Sequence, residues 1–263
     1  MGIGVPRRAA PRGAAAFLCV LCACASPRDG AFERVAVIGA SLSAGFALEA
    51  EAGGALDLAG MLECALTAPH APVASAADIF FFLQPGETGA RLARKAAETN
   101  PTLVVALDFL FWFAAAAADA ERPARLEAGL RLLEGFACPV IVGDLPDMSE
   151  AVGRVLSPRQ VPAPAVLAEL NGRIRAWARG RAAVVVPLSE MIAKMRAGEE
   201  VRAGSRVYSG AEARKLLQGD RLHPTVEGLA CAAVAALEAF SGAGRGAYLD
   251  DPKVVAAKAR KWP

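Results

Sequence analysis

Apolar residues are spaced in two ways along this chain, and the two alternate. Short unbroken apolar runs of strand length occupy residues 34–40, 78–83, 102–108, 139–143 and 183–187. Each is followed by a segment in which apolar and polar residues recur at helical spacing, most plainly at 89–98, 123–134, 164–179 and 225–240. A strand apolar throughout is one covered on both faces, and strand–helix alternation is the pattern of a parallel sheet joined by crossover helices. The pattern predicts an α/β fold: a flavodoxin-like three-layer α/β/α sandwich around a five-stranded parallel sheet. Ligands of such sheets lie beyond the carboxyl ends of the strands. Ser41, just after the first run, and Asp108, at the end of the third, both fall on that edge.

Two stretches break the alternation. Residues 145–164 hold Pro146, Pro158, Pro162 and Pro164 and read as a long surface loop. Residues 198–219 are charged and contain glycine, with a short helix predicted at 211–217. Loops this long in a compact domain line a site or move. Phe80-Phe81-Phe82 reads as buried strand, and the run from Phe109 to Phe113 as core, with some members free to form the wall of a binding site. Asp144, ending the fourth run, reads as a loop-shaping residue.

With 263 residues, 54% of them hydrophobic, one domain with a substantial core is expected at 30–242, followed by a solvated tail at 243–263. Residues 1–25 stand apart as a leader. Arg7, Arg8 and Arg12 form a basic start, and residues 14–25 an apolar run too short to span a bilayer. Ala23-Cys24-Ala25 offers a cleavage site, and Leu21-Cys22-Ala23-Cys24 resembles a lipobox that would anchor the protein to a membrane through Cys24. The leader predicts export to the periplasm, the exterior or the cell envelope. Its removal takes three positive charges and no negative ones, turning the balance of +2 into −1, which leaves no electrostatic footprint for nucleic acid. Cys64, Cys138 and Cys231 then remain, too few and too widely spaced for a disulfide framework or a metal site, and read as buried free thiols, with a single disulfide among them the alternative open to an exported protein.

The chemistry concentrates at two points. Asp220-Arg221-Leu222-His223-Pro224 places one of only two histidines three positions after an aspartate. That spacing lets a carboxylate orient an imidazole, and proline extends the backbone before it. Ser41, in Gly39-Ala40-Ser41-Leu42, supplies a hydroxyl from which such an imidazole can take a proton. Each residue also has a plainer role open to it. Ser41 or Ser43 can cap a helix, Asp220 can close a turn, and His223 can be a loop residue. The other histidine, His70, sits between prolines and reads as a loop residue.

These two blocks, in this order and at these ends, resemble the SGNH/GDSL hydrolases over residues 33–240. The resemblance implies Ser41 as nucleophile, His223 as base, Asp220 as its orienting acid, and no metal or organic cofactor. It also implies an oxyanion hole made by the Ser41 N–H, a glycine N–H from a second block, which Gly86 resembles, and an asparagine side chain after the third strand. Two positions depart from the pattern: Ala40 replaces the usual acid before the nucleophile, and Asp108 stands where the asparagine is expected. An ionised carboxylate only accepts hydrogen bonds. Three readings of Asp108 follow: a protonated donor, a bystander turned away, or an inactivating change. The expected activity is cleavage of a carboxylic ester or thioester, of a small molecule or a lipid, by an exported serine hydrolase. A catalytically silent envelope-binding domain and a carbohydrate O-acetylesterase remain as alternatives.

Overall fold

In a computed structural model of the chain, which describes residues 1–2, 30–115, 117–241 and 246–262, the first apolar run is a fully buried strand, β1 (Val35–Gly39). The charged and apolar segments of the leader, Cys24 included, lie outside the described residues. After β1 come α1 (Glu49–Ala52) and α2 (Leu58–Ala65), the latter capped by Asp57, whose carboxylate accepts the Gly60 N–H. Next are β2 (Ala74–Ala77), α3 (Pro85–Ala97), β3 (Leu103–Ala106), α4 (Phe111–Ala115) and α5 (Arg122–Leu133). Then follow β4 (Val140–Gly143), α6 (Pro164–Arg179), β5 (Ala183–Val186) and α7 (Leu188–Ala197). A small hairpin, β6 (Val201–Ala203) and β7 (Arg206–Tyr208), precedes α8 (Gly210–Arg214), α9 (Val226–Ser241) and α10 (Pro252–Ala259). Proline opens α3, α6 and α10, where its missing N–H leaves no bond unmade.

The five long-range strands form one parallel sheet in the order β2-β1-β3-β4-β5. Alternate residues feed two cores. Val35, Val37, Leu103, Val105 and Ile141 pack with α2, α7, α9 and α10, whereas Ala36, Ile38, Val104, Ala106 and Val142 pack with α3 to α6. This is the three-layer sandwich expected, and two-sided burial explains the unbroken apolar runs. The strand order reverses direction between β1 and β3, the point at which such sheets open a crevice for ligands.

Three expectations fail. The second strand is Ala74–Ala77, not residues 78–83, which instead make a turn and a single 3-10 helix, Phe81–Leu83. β2 is an edge strand of small residues, and the phenylalanines after it divide. Phe81 is buried edge-on against Phe109 and Phe113, while Phe80 and Phe82 are 58% and 40% exposed. Residues 252–259 are a packed helix and not a solvated tail: Val255 and Ala256 of α10 are buried against α2 and α9. Finally, the 198–219 stretch holds the β6–β7 hairpin, and its helix is Gly210–Arg214. No helix among the described residues is long and apolar enough to cross a membrane.

Candidate active site

The turn leaving β1 is wound tightly, with the Ala44 N–H donating to Ala40 and the Phe46 N–H to Ser41. Asp108, two residues beyond β3, reaches across and organises it. One carboxylate oxygen accepts the Ala40 N–H at 3.0 Å and the Ser43 hydroxyl at 2.6 Å, and the other accepts the N–H groups of Leu42 at 2.8 Å and Ser43 at 3.3 Å. So close an approach requires glycine at 39, where a Cβ would strike both the Asp108 carboxylate and the Ser43 side chain. Burial pushes the Asp108 pKa up, and the hydrogen bonds from Ser43, Ala40 and Leu42 pull against that rise. A carboxylate thus reaches this turn from position 108, while position 40 holds alanine. Of the N–H groups from 40 to 43, only that of Ser41 donates to no group among the described residues.

The second half of the site is a self-closed turn. One oxygen of Asp220 accepts the N–H groups of Leu222 and His223, both at 2.9 Å, and the other lies 2.6 Å from His223 Nδ1. Arg221 between them takes a left-handed conformation, φ 66°. Nδ1–H donating to Asp220 leaves Nε2 as an acceptor, and the Ser41 hydroxyl lies 2.8 Å from it. Burial alone would push the Asp220 carboxyl up. The bonds from the His223 ring and from the two N–H groups outweigh it and hold the pKa at about 2. The Phe46 ring lies over the imidazole, centroids 4.3 Å apart at 32°. The Gln218 amide donates to the carbonyls of both Phe46 and Pro224, tying the two halves of the site together.

A buried arginine supports the second turn. Arg196, on α7, donates twice to the Arg221 carbonyl, at 2.9 and 2.6 Å, and once to the carbonyl of Asp147. Arg221 pairs in turn with Glu150 at 2.9 Å, and Arg154 donates to the Gly219 carbonyl. The loop after β4 and the Asp220–His223 turn are thereby stapled to each other. Sequence reasoning missed Arg196, because a guanidinium bound to distant carbonyls carries no signature in spacing.

Two apolar hollows meet at Ser41 and His223. One is narrow and is walled by Leu107, Phe111, Leu145, Leu188 and Ile192. The other is wider and more open and is walled by Phe46, Ile79, Phe82, Trp112 and Val155. The aromatic run after Asp108 is therefore shared between cleft (Phe111, Trp112) and core (Phe109, Phe113). Asp144 is buried beside the narrow hollow and accepts the Ser189 N–H and hydroxyl, both at 2.7 Å. Gly86 lies elsewhere: it sits on the exposed first turn of α3 and lines neither hollow. The loop after β2 brings Ile79 and Phe82 to the hollow that Ser41 also lines, and the Ile79 N–H donates to no group among the described residues. Cys64 and Cys231 are buried free thiols, and Cys138 is a half-buried one. His70 bonds the Ala68 carbonyl and Glu63, far from this edge. No cluster of three or more metal-ligating side chains occurs among the described residues.

No family model matches the chain, and no curated protein matches it in sequence. Solved structures do match. A lipase/acylhydrolase from Enterococcus faecalis aligns over 80% of this chain and 96% of its own, at 16% identity and a TM-score of 0.53. TesA aligns over 75% of this chain and 92% of its own, at 19% identity and a TM-score of 0.46. The likeness to the first establishes the fold: this chain has an SGNH/GDSL hydrolase-like architecture.

Proposed function

We propose that this chain is a serine hydrolase that cleaves carboxylic esters or thioesters through Ser41, His223 and Asp220. The observation that carries this reading is the continuous hydrogen-bonded line from the Ser41 hydroxyl through the His223 ring to Asp220, 2.8 and 2.6 Å long. His223 Nε2 takes the Ser41 proton as Oγ attacks the carbonyl carbon, and Asp220, held ionised, stabilises the imidazolium. The proton then passes to the departing alcohol or thiol as its bond to the acyl carbon breaks. Water, deprotonated by the same nitrogen, attacks the acyl-enzyme and frees the acid and Ser41. The Ser41 N–H, left unpaired while its neighbours bond Asp108, is the first oxyanion donor, and the Ile79 N–H the second. Asp108 acts here as the anchor of the nucleophile turn, since its carboxylate accepts four hydrogen bonds from that turn. The likeness in fold to a lipase/acylhydrolase agrees with this chemistry.

The apolar walls of both hollows favour an apolar ester over an acetylated carbohydrate. On the strength of the leader we place the enzyme outside the cytoplasm, a reading that labelling of Cys24 by a radioactive fatty acid in growing cells would test. For the catalytic reading, a fluorophosphonate should modify Ser41 in the wild type. Ser41→Ala should lower kcat/KM for an aryl ester by about 10⁴-fold or more. Failure of any fluorophosphonate to modify Ser41 in the folded protein sinks the proposal.

A further inference from the structure

Gln218 bonds to the turn that carries the base and also to the turn that carries the nucleophile. Its backbone N–H donates to the His223 carbonyl at 2.8 Å, and its own carbonyl accepts the Arg221 N–H at 3.1 Å. Its side-chain NH₂ divides between the carbonyls of Pro224, at 2.8 Å, and Phe46, at 2.9 Å. An amide so placed must turn its nitrogen toward them, because its oxygen would meet two acceptors. Phe46 in turn touches both reacting residues: its N–H donates to the Ser41 carbonyl at 2.9 Å, and its ring lies over the His223 imidazole. Resting on the serine-hydrolase reading above, we infer that Gln218 and Phe46 are positioning residues for the base. The amide fixes Phe46, and the Phe46 ring keeps the imidazole aligned with the Ser41 hydroxyl.

Asp220 and Ser41 hold the imidazole by its two nitrogens. Both bonds act in the plane of the ring, and a hydrogen bond tolerates a modest bend, so they resist tilting out of that plane only softly. A flat apolar side chain against one face resists the tilt directly, through many small dispersion contacts. With centroids 4.3 Å apart, the Phe46 ring is in contact over that face.

Phe46 does not hold that place by packing alone. It is 37% exposed, and it stands between two residues in the left-handed region, Gly45 at φ 70° and Ala47 at φ 56°. That backbone suits glycine but strains alanine. Turning the peptide between Phe46 and Ala47 would relieve the alanine and let Phe46 swing. The carbonyl of that peptide is the one the Gln218 amide holds. A bond from the base turn therefore keeps the strained segment wound, and the wound segment keeps its ring on the base.

The test is a set of kinetic cycles on a para-nitrophenyl ester. Gln218→Ala should lower kcat by about 10- to 100-fold, the effect of misplacing a catalytic group by about 1 Å, with KM little changed. Phe46→Ala should do the same, and the double variant should be no slower than the slower single one, because the two act through one ring. Phe46→Tyr, which keeps a flat ring, should stay within about threefold of the wild type, whereas Phe46→Leu should not. In a His223→Ala background no imidazole is left to align, so Gln218→Ala should alter the residual hydrolysis by less than about twofold. An equal fall with and without His223, or effects of Gln218→Ala and Phe46→Ala that simply multiply, overturns the assignment. The Phe46→Tyr and Phe46→Leu pair keeps the test decisive if Gln218→Ala fails to fold, and equal kcat for the two would sink the idea. Fluorophosphonate labelling of Ser41 separates the two levels. A labelled wild type with unmoved kcat in the variants removes only the positioning role, whereas no labelling in the wild type removes the hydrolase reading and that role with it.

Discussion

An amide at position 108 has one acceptor oxygen where the carboxylate has two, and the turn beneath it offers four donors. Asp108→Asn therefore sets an NH₂ group against N–H groups on one side of that turn. Each buried donor stranded in this way costs about 1–3 kcal/mol, so the variant should lose about 2–4 kcal/mol in urea unfolding and hydrolyse esters more slowly. Faster hydrolysis by Asp108→Asn would mean that position 108 faces the oxyanion. The pH dependence has a definite sign. Because burial raises the Asp108 pKa, the folded state holds this proton to higher pH than the unfolded chain. Asp108 therefore takes stability away as pH climbs from the ordinary carboxyl range through its folded value, and the stability gap between wild type and variant should narrow over that climb. At this scale the sequence was legible where residue types are scarce. One histidine, one aspartate three positions earlier and one serine after a strand identified the group that the fold brings together. The sequence did not reveal what Asp108 does, because its partners are mostly backbone N–H groups, which every residue but proline carries.

Strands were legible to the extent that they carry unbroken runs of branched apolar residues. β1, β3, β4 and β5 are unbroken runs of Val, Ile, Leu and small residues in the middle of the sheet or packed beneath α6 and α9, and each was recognised within a residue or two. β2 was not, because Ala74-Ser75-Ala76-Ala77 is an edge strand with no branched or aromatic residue, while the three phenylalanines beside it imitate one. The β6–β7 hairpin, at three residues a strand, is too short to show an alternation. The packing of α10 was obscured by its lysines, of which Lys258 donates to the Cys64 carbonyl of α2 and Lys253 lies over the Tyr208 ring. Supports between elements are less legible still, and Arg196 of α7 is the clearest case. Arg196→Met should loosen the Asp220–His223 turn without touching substrate, lowering kcat by about 10- to 100-fold, the size of effect expected when a catalytic group is misplaced by about 1 Å, with KM little changed. Partial recovery on adding guanidinium ion, absent for the wild type, would separate positioning from general loss of stability. An equal fall in thermal stability and labelling with no such recovery would assign Arg196 a purely structural role.

Across the whole molecule, acid should act on the site and the fold together. The Asp220 pKa of about 2 lies below the value of about 3.8 it has when unperturbed, so between these the folded protein binds fewer protons than the unfolded chain. The contribution of Asp220 to stability is thus complete above about pH 4 and fades as pH falls toward 2, amounting to about 2 kcal/mol. Acid titration of Asp220→Asn followed by circular dichroism should show a shallower fall across that window, and an unchanged curve would mean that the His223 pairing adds nothing to the fold. The same pairing spans the chain. Ser41 and His223 stand 182 positions apart, joined by a hydrogen bond across the sheet's carboxyl edge. A nascent polypeptide emerging from the ribosome carries Ser41 long before His223, and a product cut short ahead of Leu222 carries no imidazole at this edge at all. Hydrolytic power should therefore switch on only after His223 has left the ribosome and the sheet has closed, so that products cut short before it should show no ester hydrolysis.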